Sequence, residues 1–379
     1  MNTKIDTIIV GGGISGLSAA YHLKKHGVDF KLISEDIGGR IHESKNGNIQ
    51  YGAYYIMDIY THTKEFAKIG RKIKPSELIF HKRGKGYSII QKSFVRYIPQ
   101  SIRFAIILRK FKKQYSKFKK DCCNTSQAEV IRNNPYLSRL YETNAAKFIK
   151  ENKINDVVCQ YMEEILHGTT FTSVDKLNAF TFLQFSLPLI TPIHEFVLDK
   201  KKIINDFKND IIFNVVDIIK KEEDYYVLKT QSKTYEASNV VVATPPHISK
   251  KLLHLNDIKG AVDAHMFHIV GQVQEKWCKG YCNLFSDEND MLAIAFMPDY
   301  SCLFYSKNPN PDFSKYFYDF KILESQYWNP AFNLEGNVLW DSKIDDNLYL
   351  IGDHNVCGIE DSFITGIYAA NQIIAKKNQ

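Results

Sequence analysis

The chain has 379 residues, of which 44% are hydrophobic and 24% are charged, and its net charge is +7. This composition is typical of a folded globular protein and argues against extensive disorder, and the length suggests two domains or one elaborated domain. No stretch has the roughly 20 apolar residues that cross a bilayer, no secretory signal is evident at the start, and seven irregularly spaced cysteines fit a reducing, cytoplasmic location.

The positive charge is concentrated in one part of the chain. Residues 82–120 contain 13 lysines and arginines and no Asp or Glu, which leaves −6 for the remainder (7 less 13). One basic segment does not imply a general affinity for nucleic acid, and we expect no such partner. We also expect no metal site, because Cys278 and Cys282 lack the further ligands that a zinc centre needs.

The first predicted elements form a β-α-β unit. Residues 7–10 are a short β-branched run bounded by glycine, which is typical of a buried strand. Residues 17–26 have the pattern of a helix that ends at Gly27, and residues 30–33 have the pattern of a second strand. Two strands joined by a helix predict a parallel pair with a right-handed crossover.

Residues 70–200 have helical periodicity and many aromatic side chains. One predicted helix has an apolar face formed by Phe104, Ile107, Leu108, Phe111, Tyr115 and Phe118. Two interpretations of this basic helix are open. The apolar face packs into the protein, or residues 95–120 lie on a membrane surface, where lysines and arginines attract anionic lipid. We favour packing; the membrane alternative would suit a lipophilic substrate.

Strands return from residue 211 onward. Residues 211–238 alternate like an antiparallel meander and lead into a strand at 239–244, a buried strand follows at 346–353, and a helix closes the chain at 364–377. The predicted fold class is α/β, with a Rossmann-like dinucleotide-binding domain and an inserted α+β domain. We assign residues 1–70, 200–250 and 340–379 to the first domain and residues 71–199 and 251–339 to the second.

Gly11, Gly13 and Gly16 complete the pattern G-x-G-x-x-G between the first strand and the first helix. The first glycine permits a tight turn, the second lets the backbone approach a pyrophosphate, and the third allows close helix–strand packing. The phosphates would lie at the helix N-terminus beside Ile14 and Ser15, where free N–H groups and the helix dipole favour negative charge. This context predicts a bound dinucleotide.

The ribose of such a dinucleotide is usually held by an acidic residue about 20 positions further on. Here that position is Ser34, and the acid, Glu35, comes one residue late. Either Glu35 reaches the ribose after a small shift, or Ser34 makes a single weaker contact. No basic residue stands at this point, which disfavours the 2′-phosphate of NADP.

Further motifs follow in separate parts of the chain: "IGGR" (37–40), "YGAYYI" (51–56), "NVVDII" (214–219), "NVVVATPP" (239–246), "LYLIGDH" (348–354) and "ITGIYAA" (364–370). Together they resemble the flavin-containing amine oxidoreductase superfamily. That group includes amine and amino-acid oxidases, protoporphyrinogen oxidase, carotenoid-type desaturases and, more distantly, UDP-galactopyranose mutase. The resemblance implies a discontinuous FAD-binding domain with a substrate-binding domain inserted in two pieces, in agreement with the division above.

The resemblance also implies where FAD would bind. Arg40 would clamp the pyrophosphate, Val215 or Val216 would present backbone groups to the adenine, Asp353 would bind hydroxyl groups, and N–H groups near Ile359 would face the flavin pyrimidine carbonyl. The predicted cofactor-binding residues are Gly11, Gly13, Ile14, Ser15, Gly16, Ser34, Glu35, Gly39, Arg40, Gly52, Ala53, Tyr54, Val216, Gly352, Asp353 and Ile359. Some members bond FAD through a cysteine upstream of the C-terminal motif. Residues 303–356 contain none, so we predict non-covalent FAD.

Two departures from the superfamily pattern affect the chemistry. Many amine oxidases have a tyrosine near the start of the C-terminal motif, where this chain has Gly358. Many members also have a lysine that holds a water by the flavin, and alignment on Trp277 gives His268 instead, which we take as the one candidate catalytic residue. We therefore expect an enzyme that removes a hydride from a C–H bond of a small or lipophilic metabolite, by amine oxidation or desaturation. A redox-neutral flavin isomerase and a non-catalytic flavin-binding protein remain the alternatives.

Overall fold

The computed structural model describes residues 4–53, 55–89, 92–287 and 290–378. The strands are β1 (Ile5–Gly13), β2 (Phe30–Gly38), β3 (Ile56–Met57), β4 (Ala67–Ile73), β5 (Leu78–Lys82), β6 (Lys85–Ser88), β7 (Ile193–Leu198), β8 (Ile211–Phe213), β9 (Val216–Lys221), β10 (Tyr226–Thr230), β11 (Thr234–Val242), β12 (Gly260–Val273), β13 (Cys282–Phe285), β14 (Met291–Phe296), β15 (Cys302–Ser306), β16 (Phe317–Glu335), β17 (Lys343–Asp345) and β18 (Leu348–Leu350). The helices are α1 (Ile14–Lys25), α2 (Ile98–Asp121), α3 (Gln127–Asn133), α4 (Pro135–Glu142), α5 (Ala145–Glu151), α6 (Asn155–Thr170), α7 (Ala179–Ser186), α8 (Lys200–Ile204), α9 (Pro246–Leu253) and α10 (Ile359–Lys377).

β1 lies at the centre of the first sheet, whose described strands follow the order β17-β18-β11-β1-β2-β8, with β10 and β9 branching antiparallel from β11. β1 pairs in parallel with β2 on one side and β11 on the other. Val10 is the partner of both Ile33 and Val242. Because the carboxyl ends of these three strands are aligned, the loops that follow them meet at one edge of the sheet, where open α/β sheets bind ligands.

Two glycines allow α1 to pack closely against its neighbours. A Cβ on Gly16 would lie 2.0 Å from the carbonyl oxygen of Gly11, and a Cβ on Gly366 would lie 2.3 Å from that of Ser15. No side chain tolerates such distances, so glycine is required where α1 meets the β1 loop and where α10 meets α1. This is the packing role that the third glycine of the motif predicts.

A second sheet follows the order β16-β12-β15-β14-β13-β5-β6 among the described strands, and a small sheet, β3-β7-β4, stands apart from both. α6 packs on β13, β14 and β5. All strands of the first sheet fall within the segments assigned to the cofactor domain, and all strands of the second fall within those assigned to the substrate domain. The predicted α/β class, with its parallel sheet behind the glycine motif, is confirmed; the domain boundaries stay a prediction.

α2 is the basic helix of the sequence analysis, and its apolar face is buried. Phe104 stacks on Phe182 with ring centroids 5.6 Å apart, and Phe111 meets Phe180 edge-on at 5.4 Å. The favoured interpretation, that this face packs into the protein, therefore agrees with the structure. Within the described ranges no helix combines the length and apolar character needed to cross a membrane.

Candidate cofactor site and the adjoining cavity

A cavity of about 550 Å³ opens where the loops after β1, β2 and β11 meet the N-termini of α1 and α10. We call it the glycine-lined cavity. The predicted residues that line it are Gly11, Gly13, Ile14, Ser15, Ser34, Glu35, Gly39, Arg40, Gly52, Ala53, Val216, Gly352, Asp353 and Ile359. Gly16 lies beneath it, and Tyr54 lies outside the described residues. The structure thus brings distant sequence segments to one cavity, while the role of each residue in binding stays a prediction.

The glycine loop forms the floor of this cavity. Gly11 has a φ of +111°, and a Cβ there would lie 2.7 Å from the carbonyl oxygen of Ala243. Gly13 is the N-cap of α1 and has an ordinary φ of −70°, yet no atom lies within 4 Å of where its Cβ would be. The space over Gly13 is therefore open, and the positive end of α1, with no acidic residue in its first turn, faces it.

β2 bulges where the ribose-binding acid is expected. Val10 pairs with Ile33 but Gly12 pairs with Ile37, so β2 holds two more residues than β1 between these pairs. The Ser34 hydroxyl accepts a hydrogen bond from Gly12 N–H at 2.8 Å and donates to the Asp36 carbonyl at 2.7 Å. Glu35 is exposed and lines the cavity. The bulge explains the late position of the acid: Ser34 is occupied in holding the loop, and Glu35 faces the space.

Arg40 and Asp353 form an ion pair in the cavity wall. Arg40 Nη2 lies 2.7 Å from Asp353 Oδ2, and Nη1 donates to the Ala331 carbonyl at 3.0 Å. Burial alone would raise the pKa of Asp353, but the charge and hydrogen bond of Arg40, together with other neighbouring groups, outweigh burial and hold that pKa below its ordinary value. Both groups are therefore charged at neutral pH. Asp353 fixes the orientation of the guanidinium, whose remaining N–H groups can serve an anion.

The first turn of α10, whose start lines the cavity, contains two buried carboxyl groups, Glu360 and Asp361. Glu360 accepts five hydrogen bonds of 2.7–3.0 Å from backbone and hydroxyl groups of Thr61, His62 and Thr63. Burial opposes the charge, but these bonds prevail and lower the pKa of Glu360. An ionised Glu360 therefore ties residues 61–63 to the start of α10.

Asp361 has a different environment. It accepts hydrogen bonds from the Tyr115 hydroxyl at 2.6 Å and from Gln184 Nε2 at 3.1 Å. Burial dominates and raises the pKa of Asp361 to about 7. A Cβ on Gly358, which lines the cavity, would lie 2.7 Å from Asp361 Oδ2. A carboxyl group that titrates near neutral pH thus stands directly behind this part of the cavity.

Sequence reasoning missed several residues that line the same cavity: His42, Phe171, Thr244, His247, Trp328, Phe332 and Cys357. Trp328 is 7% exposed, and its Nε1 has no hydrogen-bond partner among the described residues. A buried indole N–H normally has an acceptor, so this donor is available to a ligand. Trp328 and Phe332 belong to "QYWNPAF", which carries no pattern that would have indicated them.

A second cavity, of about 590 Å³, lies beside the first and is called here the apolar cavity. Tyr55 and Thr169 line it, each two residues away from Ala53 and Phe171 of the glycine-lined cavity. Most of its lining is aliphatic or aromatic and comes from α2, α6 and residues 185–193. The described lining residues include two lysines, 72 and 74, and no Asp or Glu.

His268, the predicted catalytic residue, lies on β12 and lines neither cavity. Its side chain is buried, with Nδ1 3.0 Å from the Tyr51 hydroxyl and Nε2 2.8 Å from the Ser301 hydroxyl. The Tyr51 hydroxyl also donates to Glu324 at 3.2 Å. These contacts are those of a buried polar network. The structure does not bring His268 to the cofactor site, so its catalytic role stays a prediction without support from this geometry.

Comparisons with known proteins agree with this picture. A family model described as an NAD(P)-binding Rossmann-like domain matches residues 9–69. Flavin-containing amine oxidase B of Bos taurus is 33% identical over 97 residues, and flavin-containing amine oxidase A of Sus scrofa is 32% identical over 93 residues. These alignments cover 23% and 22% of this chain and 19% and 18% of the relatives. The chain thus matches only about a fifth of the length of these relatives.

Solved structures extend the likeness to the whole fold. Cyclohexylamine oxidase from Brevibacterium oxydans superimposes with a TM-score of 0.70 at 14% identity, covering 99% of this chain and 100% of that one. Putrescine oxidase bound to putrescine gives a TM-score of 0.69 at 11% identity, covering 98% of this chain and 99% of that one. Identities this low establish the fold alone. In fold over its whole length, and in sequence over about a quarter of it, this chain is similar to flavin-containing amine oxidases.

Proposed function

We propose that this protein is an FAD-dependent oxidoreductase that removes a hydride from a C–H bond of a lipophilic substrate. The observation that carries the proposal is a pair of cavities, one lined by the glycine motif and two helix N-termini, the other lined mostly by apolar side chains. FAD, when bound, supplies the hydride acceptor. The protein supplies binding, orientation and exclusion of water.

The lining of the glycine-lined cavity supports FAD binding along its length. The open space over Gly13, the N-terminus of α1 and the Arg40 guanidinium suit a pyrophosphate. Glu35 and Val216 line the part that would hold ribose and adenine. The start of α10 and the side chains of Trp328 and Phe332 line the part that would hold the flavin ring. Backbone donors at a helix N-terminus would stabilise negative charge on a reduced ring.

Binding without a covalent bond is also consistent with the chemistry of the cavity. Cys357 is the one cysteine among the described lining residues. Burial raises the pKa of its thiol to about 12, so the nucleophilic thiolate is scarce at neutral pH. Cys357 therefore does not alter the expectation of non-covalent FAD.

The lining of the apolar cavity favours an uncharged or anionic substrate over a cationic amine. An ammonium group is costly to bury in a desolvated site unless a carboxylate pairs with it, and the two lysines that line this cavity would repel it. The described lining has no carboxylate, and Gly358 leaves a glycine where many amine oxidases have a tyrosine. We therefore favour desaturation of an apolar chain or ring over amine oxidation.

Anaerobic mixing of the FAD-loaded protein with a panel of isoprenoids, porphyrinogens, fatty amides and aliphatic amines tests this function. Bleaching of the oxidised flavin band by an uncharged lipophilic compound is the expected result. Bleaching by cationic amines alone would overturn the substrate class. Turnover that requires prior reduction with dithionite would indicate a redox-neutral isomerase, and no response across the panel would favour a non-catalytic flavin protein.

A further inference from the structure

A row of exposed aliphatic residues follows the outer side of α2 and the turn before it. Val95, Ile98, Ile102 and Ile106 are 69%, 40%, 58% and 59% exposed, and the three isoleucines are spaced by four residues, which places them on one helix face. The opposite face, with Phe104 and Leu108, already packs into the core. Single exposed apolar residues are ordinary, whereas a contiguous row marks an interaction site.

The same outer face becomes cationic in the second half of α2. Arg109, Lys113, Lys117 and Lys120 are exposed, and none of them forms an ion pair with a carboxylate in the described part of the chain. These four are among the 13 basic residues of segment 82–120, which has no acidic residue. We define the four aliphatic and these four basic residues as the α2 outer face. It offers apolar contact and uncompensated positive charge side by side.

The α2 outer face borders the apolar cavity. Ser101 and Ala105, which flank Ile102 and Ile106 along α2, are half-buried and line that cavity. Leu189, another lining residue, is 37% exposed. A molecule that leaves a hydrophobic phase at Ile102 would therefore meet an apolar cavity next to it rather than water.

We propose that the α2 outer face docks on the surface of an anionic lipid bilayer. The isoleucines would enter the interfacial region, and the lysines and arginines would pair with lipid phosphates and anionic headgroups. Charge complementarity favours lipid over a second copy of this chain, because a second copy would present the same cations at this face and no acidic residue of segment 82–120 to neutralise them. The mode is interfacial, in keeping with the absence of a membrane-crossing helix among the described residues.

Docking in this position has a consequence for the substrate, which rests on the proposed function. A lipophilic substrate would pass from the bilayer into the apolar cavity past Ala105 and Leu189. Vesicle binding can be measured without turnover, so its failure would leave the proposed reaction untouched, and the reverse also holds.

Co-sedimentation with vesicles tests the docking. The FAD-loaded protein should pellet with vesicles of phosphatidylcholine and phosphatidylglycerol, pellet much less with phosphatidylcholine alone, and be released by high salt. The double variant Ile102→Glu/Ile106→Glu should reduce the bound fraction about tenfold, since carboxylates at these positions would not be buried at the acyl boundary and would repel anionic headgroups. Lys113→Glu/Lys117→Glu should weaken binding to the anionic vesicles specifically.

Ile322→Glu is the matched control, because Ile322 is 41% exposed on β16, in another exposed apolar region. It should bind as the unchanged protein does, and the flavin content of each variant reports whether it is folded. No pelleting with anionic vesicles would overturn the proposal, and so would an equal loss in Ile322→Glu. A change from dimer to monomer in Ile102→Glu/Ile106→Glu, measured by sedimentation velocity without lipid, would assign the face to a second copy instead.

Discussion

The two cavities are built in opposite ways. The glycine-lined cavity is made by backbone: a bare N-cap at Gly13, helix N-termini, and one ion pair between Arg40 and Asp353. The apolar cavity is lined mainly by side chains of α2, α6 and residues 185–193, most of them aliphatic or aromatic. Backbone geometry requires particular residues at particular spacings, and a side-chain lining requires only apolar residues of suitable volume. The first cavity therefore carries a sequence signature and the second does not.

The largest effect is expected from filling the open space of the glycine-lined cavity. Gly13→Asp keeps a good N-cap residue for α1 but places bulk and negative charge where the pyrophosphate would lie. We expect FAD affinity to fall about 100-fold, or about 2.8 kcal/mol. In Gly13→Asn, whose side chain has the size of Asp but no charge, FAD affinity should fall about tenfold. Flavin titration of both variants decides; equal losses would show that charge at the α1 N-terminus does not matter.

The next largest effect concerns the guanidinium of Arg40. Arg40→Ala removes charge-assisted hydrogen bonds to the pyrophosphate and leaves Asp353 buried without its partner, so we expect FAD affinity to fall about 30-fold, or about 2 kcal/mol. Arg40→Lys retains the charge but not the planar guanidinium, so its FAD affinity should lie between that of Arg40→Ala and that of the unchanged protein. Isothermal titration with FAD measures both. Full affinity in Arg40→Ala would remove the pyrophosphate clamp from this account.

Asp361 should make stability depend on pH behind the flavin end of the same cavity. Its pKa is raised from 3.8 to about 7 in the folded protein, so the native state binds more protons than the unfolded state between these values. The contribution is fully present below the unfolded pKa and is lost as pH rises through about 7; between pH 6 and 8 we expect a loss of about 1.4 kcal/mol in the free energy of unfolding. Urea denaturation should show this slope in the unchanged protein and a flatter profile in Asp361→Asn. An equal slope in both would assign the pH dependence to another group.

A substitution in the apolar cavity should act on substrate and spare FAD. Ala105 is half-buried and lines the apolar cavity, so Ala105→Phe would place an aromatic ring in it. We expect KM for the best lipophilic substrate to rise about fivefold, or about 1 kcal/mol. Ser116→Phe, exposed on the same helix, is the control and should leave KM unchanged. Loss of flavin from Ala105→Phe would contradict the proposal that the apolar cavity binds substrate and the glycine-lined cavity binds FAD.

The smallest effect separates two neighbouring residues of the β2 bulge. Glu35→Ala should weaken FAD binding about threefold, or about 0.7 kcal/mol, because it removes the acid that faces the ribose region. Ser34→Ala should weaken FAD binding less and lower stability instead, because Ser34 bonds Gly12 and Asp36 within the protein. Flavin retention and thermal unfolding measured on both variants test this. The opposite ranking for FAD would show that Ser34 is the ribose ligand.

Most residues of the glycine-lined cavity could be predicted from the sequence because they belong to recognisable motifs. Gly11 must adopt a positive φ and Gly16 must admit a neighbouring carbonyl, and both constraints exclude other residues. The bulge of β2 was visible only as an acid one residue late. Trp328 and Phe332 reach the site through tertiary packing, so no local pattern indicated them. His268 was chosen by position relative to Trp277, and its side chain contacts Tyr51 and Ser301 instead of the cavity.

The amphipathic pattern of α2 shows the same limit. Periodicity identified the face with Phe104 and Phe111, which the structure buries. The exposed row with Ile102 and Ile106 was not evident, because single isoleucines on the polar face of a helix are ordinary. Their exposure is known only from the structure. Only the fold shows which face is left without a partner.

The most direct test of the central claim is a flavin analysis of the protein purified in the presence of FAD. The account predicts about one FAD per chain, released into the supernatant by acid precipitation, with a clear loss of bound FAD in Gly13→Asp under the same conditions. Protein that is folded yet retains no flavin, or flavin that stays with the acid pellet, would contradict it.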